Sequence, residues 1–127
     1  MYQLKKTVPF EDDIQLLNES GEVVHTIHVS LRLDDLLGKY NETVNALKAA
    51  EAGADPDVEA TLETYGNAVM SLLRLIFSED ADTILNHYDG RYLEMLDNIL
   101  PYIFTTIGPE LRKLSRNRMD MLKAARS

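Results

Sequence analysis

The chain contains no cysteine. That excludes disulfides, thiolate nucleophiles and cysteine-based zinc sites. No apolar run approaches the roughly 20 residues that a membrane-spanning helix requires. The first residues, MYQLKKTVPFEDD, carry Lys5 and Lys6 but neither the apolar core nor the cleavage site of a secretory signal. Catalytic signatures are missing as well: no G-x-S-x-G, no glycine-rich phosphate loop, no H-E-x-x-H and no G-x-G-x-x-G. These absences point to a cytoplasmic protein with no enzymatic activity and no cofactor.

Positive charge is scarce over most of the chain and concentrated at its end. Residues 1–107 hold seven Lys/Arg against nineteen Asp/Glu, whereas residues 108–127 hold six against only Glu110 and Asp120. An acidic body would repel backbone phosphates, so duplex nucleic acid is disfavoured as the main partner. The basic tail is open to nucleic acid, to an acidic protein or to the chain's own body. The lack of interleaved aromatics argues against the first of these.

What is present suits an ordinary globular protein. At 127 residues, 45% of them hydrophobic and 27% charged, the sequence is too apolar for a disordered chain. It is long enough for one domain over 1–127, burying roughly 65–70% of its unfolded surface. The expected class is α+β, mainly α. An N-terminal β-hairpin (1–33) precedes a bundle of about four to five helices, divided into a helical core (34–107) and a basic C-terminal helix (108–127).

The hairpin is read from parity. Val23, Ile27, Val29, Leu31 and Leu33 fall on odd positions, with His25 the exception, and Phe10, Ile14 and Leu16 share one parity upstream. Alternation of this kind marks strands with one buried face. Asn18-Glu19-Ser20-Gly21 is the turn, with glycine available for positive φ. A two-stranded hairpin is marginal alone, so it must lie on the helices or pair with another subunit.

Helical periodicity takes over at Asp34 or Asp35 and runs through Leu36, Leu37, Tyr40, Val44 and Leu47. Asp55 is the expected N-cap of the next helix, with Pro56 at its first position. That helix places Val58, Leu62, Tyr65, Val69, Leu72, Leu73, Ile76 and Phe77 on the core side. Gly66 within it suggests close backbone packing, since glycine there costs about 1 kcal/mol of helix propensity. Ser78 is expected to cap a short helix ended by Gly90. A further helix carries Tyr92, Leu93, Leu96, Ile99 and Leu100 to a kink or break at Pro101. Gly108-Pro109 reads as a stop followed by a start.

Few residues stand out as functional. His25 and His28 are three apart on a strand and point to opposite faces, so they cannot jointly hold a metal, and His87 is alone. The acids around Asp12, Asp57 and Asp80 lack the spacing of a calcium loop, and the latter two groups suit helix starts. No metal site is therefore expected. Phe77, Tyr88, Tyr92, Tyr102 and Phe104 recur at helical spacing and read first as core, second as a groove for a partner helix. The candidate contact residues are Arg112, Lys113, Arg116, Arg118, Met119, Met121 and Leu122, where adaptable methionine side chains sit among cations near the end of the chain.

The segment from Phe77 to Ile107, FSEDADTILNHYDGRYLEMLDNILPYIFTTI, orders its parts distinctively. An aromatic ends one helix, an acidic start follows, an aromatic precedes a glycine turn, and Tyr-Leu-Glu-Met-Leu leads to a proline. With the hairpin before it and the basic helix after it, this order resembles the tail assembly chaperones of siphophages and prophages of Gram-positive bacteria. The resemblance implies a non-enzymatic role in the host cytoplasm: binding the long helical tape measure protein, keeping it soluble, and helping to recruit tail tube protein. The exposed hairpin edge would additionally allow a homo-oligomer. The alternatives are a small acidic adaptor or regulator of another protein, or a minor structural component of a virion.

Overall fold

A computed structural model describes residues 1–126; Ser127, the last residue of the expected basic segment, lies outside them. The fold is mainly helical, with an antiparallel hairpin at its N-terminal side. Strands β1 (Phe10–Leu17) and β2 (Val23–Leu31) lead into α1 (Leu33–Gly53), α2 (Glu59–Phe77), α3 (Asp80–His87) and α4 (Tyr92–Tyr102). A π turn (Ile103–Ile107) joins α4 to α5 (Gly108–Arg126) without interruption. Residues from both strands and all these helices share one hydrophobic core.

The hairpin follows its parity up to a point. Phe10 pairs with Leu31, Ile14 with Ile27 and Leu16 with His25, and the buried face is Leu16, Ile27, Val29 and Leu31. Asn18 organises the turn, its Oδ1 accepting from the N–H groups of Ser20 and Glu22, and Gly21 takes a φ of 84°. Between Leu16 and Leu17 the register slips, so that Leu17 faces Val23. Such a bulge inserts a residue and turns the strand end away from the sheet face. Val23, expected inside, is exposed as a result. Leu33, expected at the strand end, begins α1 instead.

Two expected helix caps are turn residues instead. The Asp55 carboxylate accepts from the Asp57 N–H at 2.9 Å and closes a local turn, and α2 begins only at Glu59, after an extended Val58. Thr61 holds that turn from within α2, its hydroxyl accepting from the Asp55 N–H at 2.9 Å. Val58 and Leu62 are consequently exposed rather than core. Ser78 terminates α2, with its N–H bonded to the Arg74 carbonyl and a φ of 53°, and its side chain does not cap α3. This backbone conformation (ψ −122°) is the one a tight reversal demands, and it removes the geometry an N-cap needs. By contrast Gly90, at φ 78°, closes α3 as expected, its N–H reaching the Leu85 carbonyl at 3.0 Å.

The largest departure from expectation is that neither Pro101 nor Gly108-Pro109 breaks the chain. Met95, Ile99, Ile103, Ile107 and Leu111 recur every four residues and are all buried. On an ideal α-helix such a repeat drifts by about 40° per step, or roughly 160° over the stripe. A π turn holds more residues, takes out part of that drift and keeps the stripe on the core side. Its wider spacing also relieves the clash of the Pro109 ring with the preceding carbonyls, and the Gly108 N–H bonds to the Ile103 carbonyl five residues back. Gly108 is helical (φ −53°, ψ −47°), and its role is close approach: an added Cβ would sit 3.2 Å from the Tyr40 hydroxyl. Gly66 is similar, with the Tyr92 ring lying over it. Leu93, placed in the core by periodicity, is 71% exposed on the opposite side of α4.

The stripe yields a contrast between neighbours. Ile103 is fully buried and Phe104 is 38% exposed. Ile103→Ala is expected to lower unfolding free energy by about 3 kcal/mol in urea denaturation, and Phe104→Ala by about 1 kcal/mol or less. The reverse order would place the stripe on the wrong face.

Candidate protein-interaction site

Three surfaces bear on function, and each arises from how an element ends. The first is held by a polar pin. On β1, Asp12 lies on the inward face between Phe10 and Ile14, where an unpaired carboxylate would be costly. The Tyr102 hydroxyl donates to Asp12 Oδ2 at 3.0 Å, and the Tyr102 ring stacks on Phe77 with centroids 6.4 Å apart. Burial pushes the Tyr102 phenol well above its usual range, and the bond to Asp12 adds to this. The pin therefore fixes the hairpin against the end of α4.

Between the bulged hairpin tip and the α3–α4 junction opens a groove of about 740 Å³. Ile84, Ile99 and Tyr102 line it from the helices, Leu17 and Val24 from the hairpin, and Tyr88 from the end of α3. Its charged groups are Glu19, Asp89, Glu94 and Arg91, of which Arg91 and Glu94 approach within 3.7 Å. The His87 ring meets Tyr88 edge-on at 4.9 Å. A volume in this range, part apolar with a few polar groups, is that of a site taking side chains or a small ligand. Among the aromatics, Phe77 is core, and Tyr88 and Tyr102 edge the groove.

The second surface is the N-terminal arm. Residues 1–8 are exposed, with Tyr2 and Leu4 each 89% accessible and Lys5 and Lys6 beside them. Arg32 anchors the root of the arm by donating to the Thr7 carbonyl at 2.8 Å. Thr7 and Val8 share a cavity of about 480 Å³ with Leu114 and Arg118, so the arm emerges next to α5.

The third surface is α5 itself. Arg112, Lys113, Arg116, Arg118, Met119, Met121 and Leu122 are all exposed and share this helix. Its first half packs on the body through Leu111 (buried), Leu114 (partly buried) and Arg118. Leu122 continues that inward line at helical spacing, with Met119 and Met121 on either flank, so an apolar face runs beyond the body. Arg118 pairs with Asp34 at the start of α1, and Lys113 lies 3.6 Å from Glu110. Arg112 stands near Tyr40, whose phenol is raised by burial, an effect that the arginine charge opposes.

The seven α5 residues named from the sequence share one exposed helix, and two of the aromatics read second as a groove, Tyr88 and Tyr102, do edge one; its hairpin wall and the arm were missed. The doubled Val23-Val24, which breaks the hairpin's parity, was the available signal for the bulge that forms the groove. Among the described residues no three His, Cys, Asp or Glu side chains converge to hold a metal ion, and no helix is long and apolar enough to cross a membrane. No protein-family model, curated protein or solved structure matches the chain.

Two measurements test this geometry. Tyr102→Phe removes the pin and strands the Asp12 carboxylate, and is expected to cost about 1–2 kcal/mol in denaturant unfolding. On the hairpin's outer face His28 Nδ1 lies 2.7 Å from Asp13 Oδ1, and that bond raises the histidine above its ordinary 6.5. A raised histidine stabilises the fold below the unfolded value, and this small contribution fades as pH climbs through the folded one. His28 should therefore titrate above 6.5 by NMR and fall toward that value in Asp13→Asn.

Proposed function

We propose that this protein is a non-enzymatic tail assembly chaperone that binds the tape measure protein of a phage or prophage and assists tail tube assembly. The observation that carries this reading is the exposed apolar face formed by Leu122, Met119 and Met121, standing clear of the body among cations at the end of α5. A helix of this kind engages another helix through i, i+3 and i+4 anchors, and methionine lets one face adapt to many registers along a long partner. Tape measure proteins present long apolar helical stripes, which aggregate unless covered. The acidic remainder of the chain, within a net charge of −8, keeps a coated complex soluble. The order of features from Phe77 to Ile107, through its resemblance to the tail assembly chaperones, is what favours a tape measure protein as the partner.

Co-expression with a tape measure protein, which this reading expects to be encoded as a long helical protein beside this chain, is the direct test. The expected result is a soluble complex with the native chain and aggregation with the Met121→Asp/Leu122→Asp variant. Both positions are exposed, so their replacement should leave stability within about 0.5 kcal/mol. Equal solubility of the neighbour with and without this protein sinks the reading. Abundant protein retained in purified mature tails would instead favour a structural component of the particle.

A further inference from the structure

The N-terminal arm continues the pattern of a strand that has no ladder in its own chain. Tyr2, Leu4 and Val8 share the parity of Phe10, Ile14 and Leu16, the inward line of β1, with Lys6 the exception. β2 cannot follow them: the last pair of the hairpin is Phe10 with Leu31, and at Arg32 the chain turns into α1. Pro9, at the root of the arm, offers no N–H to any ladder. Tyr2, Leu4 and Val8 are consequently 72–89% exposed. Among the described residues, the one protein hydrogen bond to this stretch is that from Arg32 to the Thr7 carbonyl, so the root is fixed and the end is free. An alternating segment with both backbone edges open is a template for strand pairing. A helical partner cannot complete it, because a helix already bonds its own backbone. The edge of a sheet can: ladder bonds supply affinity, and Tyr2, Leu4 and Val8 supply an apolar face. Lys5 and Lys6 point to opposite faces of an extended chain, and residues 1–10 hold no acid, so the complementary edge carries Asp or Glu.

We infer that residues 2–8 add as a strand to an open, acid-bearing sheet edge of a partner protein, and that this partner is the tail tube subunit. The choice of partner rests on the tail-assembly reading; the mode of pairing rests on the arm itself. The arm and the end of α5 then divide the work. The α5 end meets the helical tape measure protein, and the arm holds a sheet protein beside it, because Thr7 and Val8 share a cavity with Leu114 and Arg118 of that helix. The ladder supplies most of the attachment, and the two lysines add a part that salt screens.

NMR titration of the isotope-labelled, nuclease-treated full chain with soluble tail tube subunit tests the pairing. In the complex the amides of residues 2–8 should take β-strand shifts and exchange with solvent about tenfold or more slowly. Leu4→Pro/Lys5→Pro removes one ladder donor on each side of the arm, so it should bind about tenfold more weakly than Leu4→Ala/Lys5→Ala. Both positions are exposed and lie outside the hairpin ladder, and far-UV circular dichroism matching the native chain establishes that the variants are folded. A tube subunit that does not bind, that binds with the arm amides unprotected, or that binds the proline and alanine variants equally would each overturn the inference. So would protection of the arm at high protein concentration without the tube subunit, which would make a second copy the partner. The proline variant should still solubilise a tape measure protein. A native chain that takes the tube subunit through its arm yet leaves the tape measure protein insoluble sinks the tape-measure reading and leaves the strand pairing standing.

Discussion

Burial of the stripe Met95, Ile99, Ile103, Ile107 and Leu111, which recurs every four residues, is the constraint on which the rest of this structure depends. A repeat of that length does not match the α-helix, and the chain answers with a π turn rather than a break. Because the turn keeps the stripe on one side, α4 and α5 form one continuous element instead of two packed helices. Most other features serve that element. Tyr40 of α1 lies against Gly108, Gly66 of α2 admits the Tyr92 ring, and Arg118 reaches back to Asp34. Each acts at a different height along the same helix.

The hairpin is secured by a different kind of interaction. Its buried residues, Leu16, Ile27, Val29 and Leu31, supply the non-directional part of its attachment. The bond from Tyr102 to Asp12 supplies direction, because a hydrogen bond to a partly buried carboxylate tolerates little sliding. Fixing the sheet at that height leaves its bulged tip overhanging the α3–α4 junction, and the groove lies beneath. The groove is therefore a by-product of where the pin sits, and neither the strands nor the helices form it alone.

Local chemistry was legible where one conformation dominates for a residue pattern. The Asn18–Gly21 turn, the buried parity from Ile27 to Leu31 and the Gly90 stop all follow from short-range preferences. Asp55 and Ser78 were misread because aspartate and serine favour tight turns for the same reason that they favour helix starts: a short polar side chain close to the backbone. Gly108-Pro109 looked like a boundary because its true determinant, the Tyr40 hydroxyl, comes from a helix nearly seventy residues away. The tail residues Arg112 to Leu122 could be singled out because charge and methionine content are visible in one dimension. The hairpin wall of the groove could not, since Leu17 and Val24 are brought to Tyr88 and Ile99 only by the fold.

The continuous helix also has a mechanical consequence. Its α5 half is held near the π turn by Tyr40 and Leu111 and again at Arg118 by its pair with Asp34, so only residues 119–126 extend past that pair. Eight residues of helix span about 12 Å, so a tilt of about 10° there moves the tip by only about 2 Å, less than half a helical turn. The pair at Arg118 therefore sets the direction in which the exposed Met119, Met121 and Leu122 are presented.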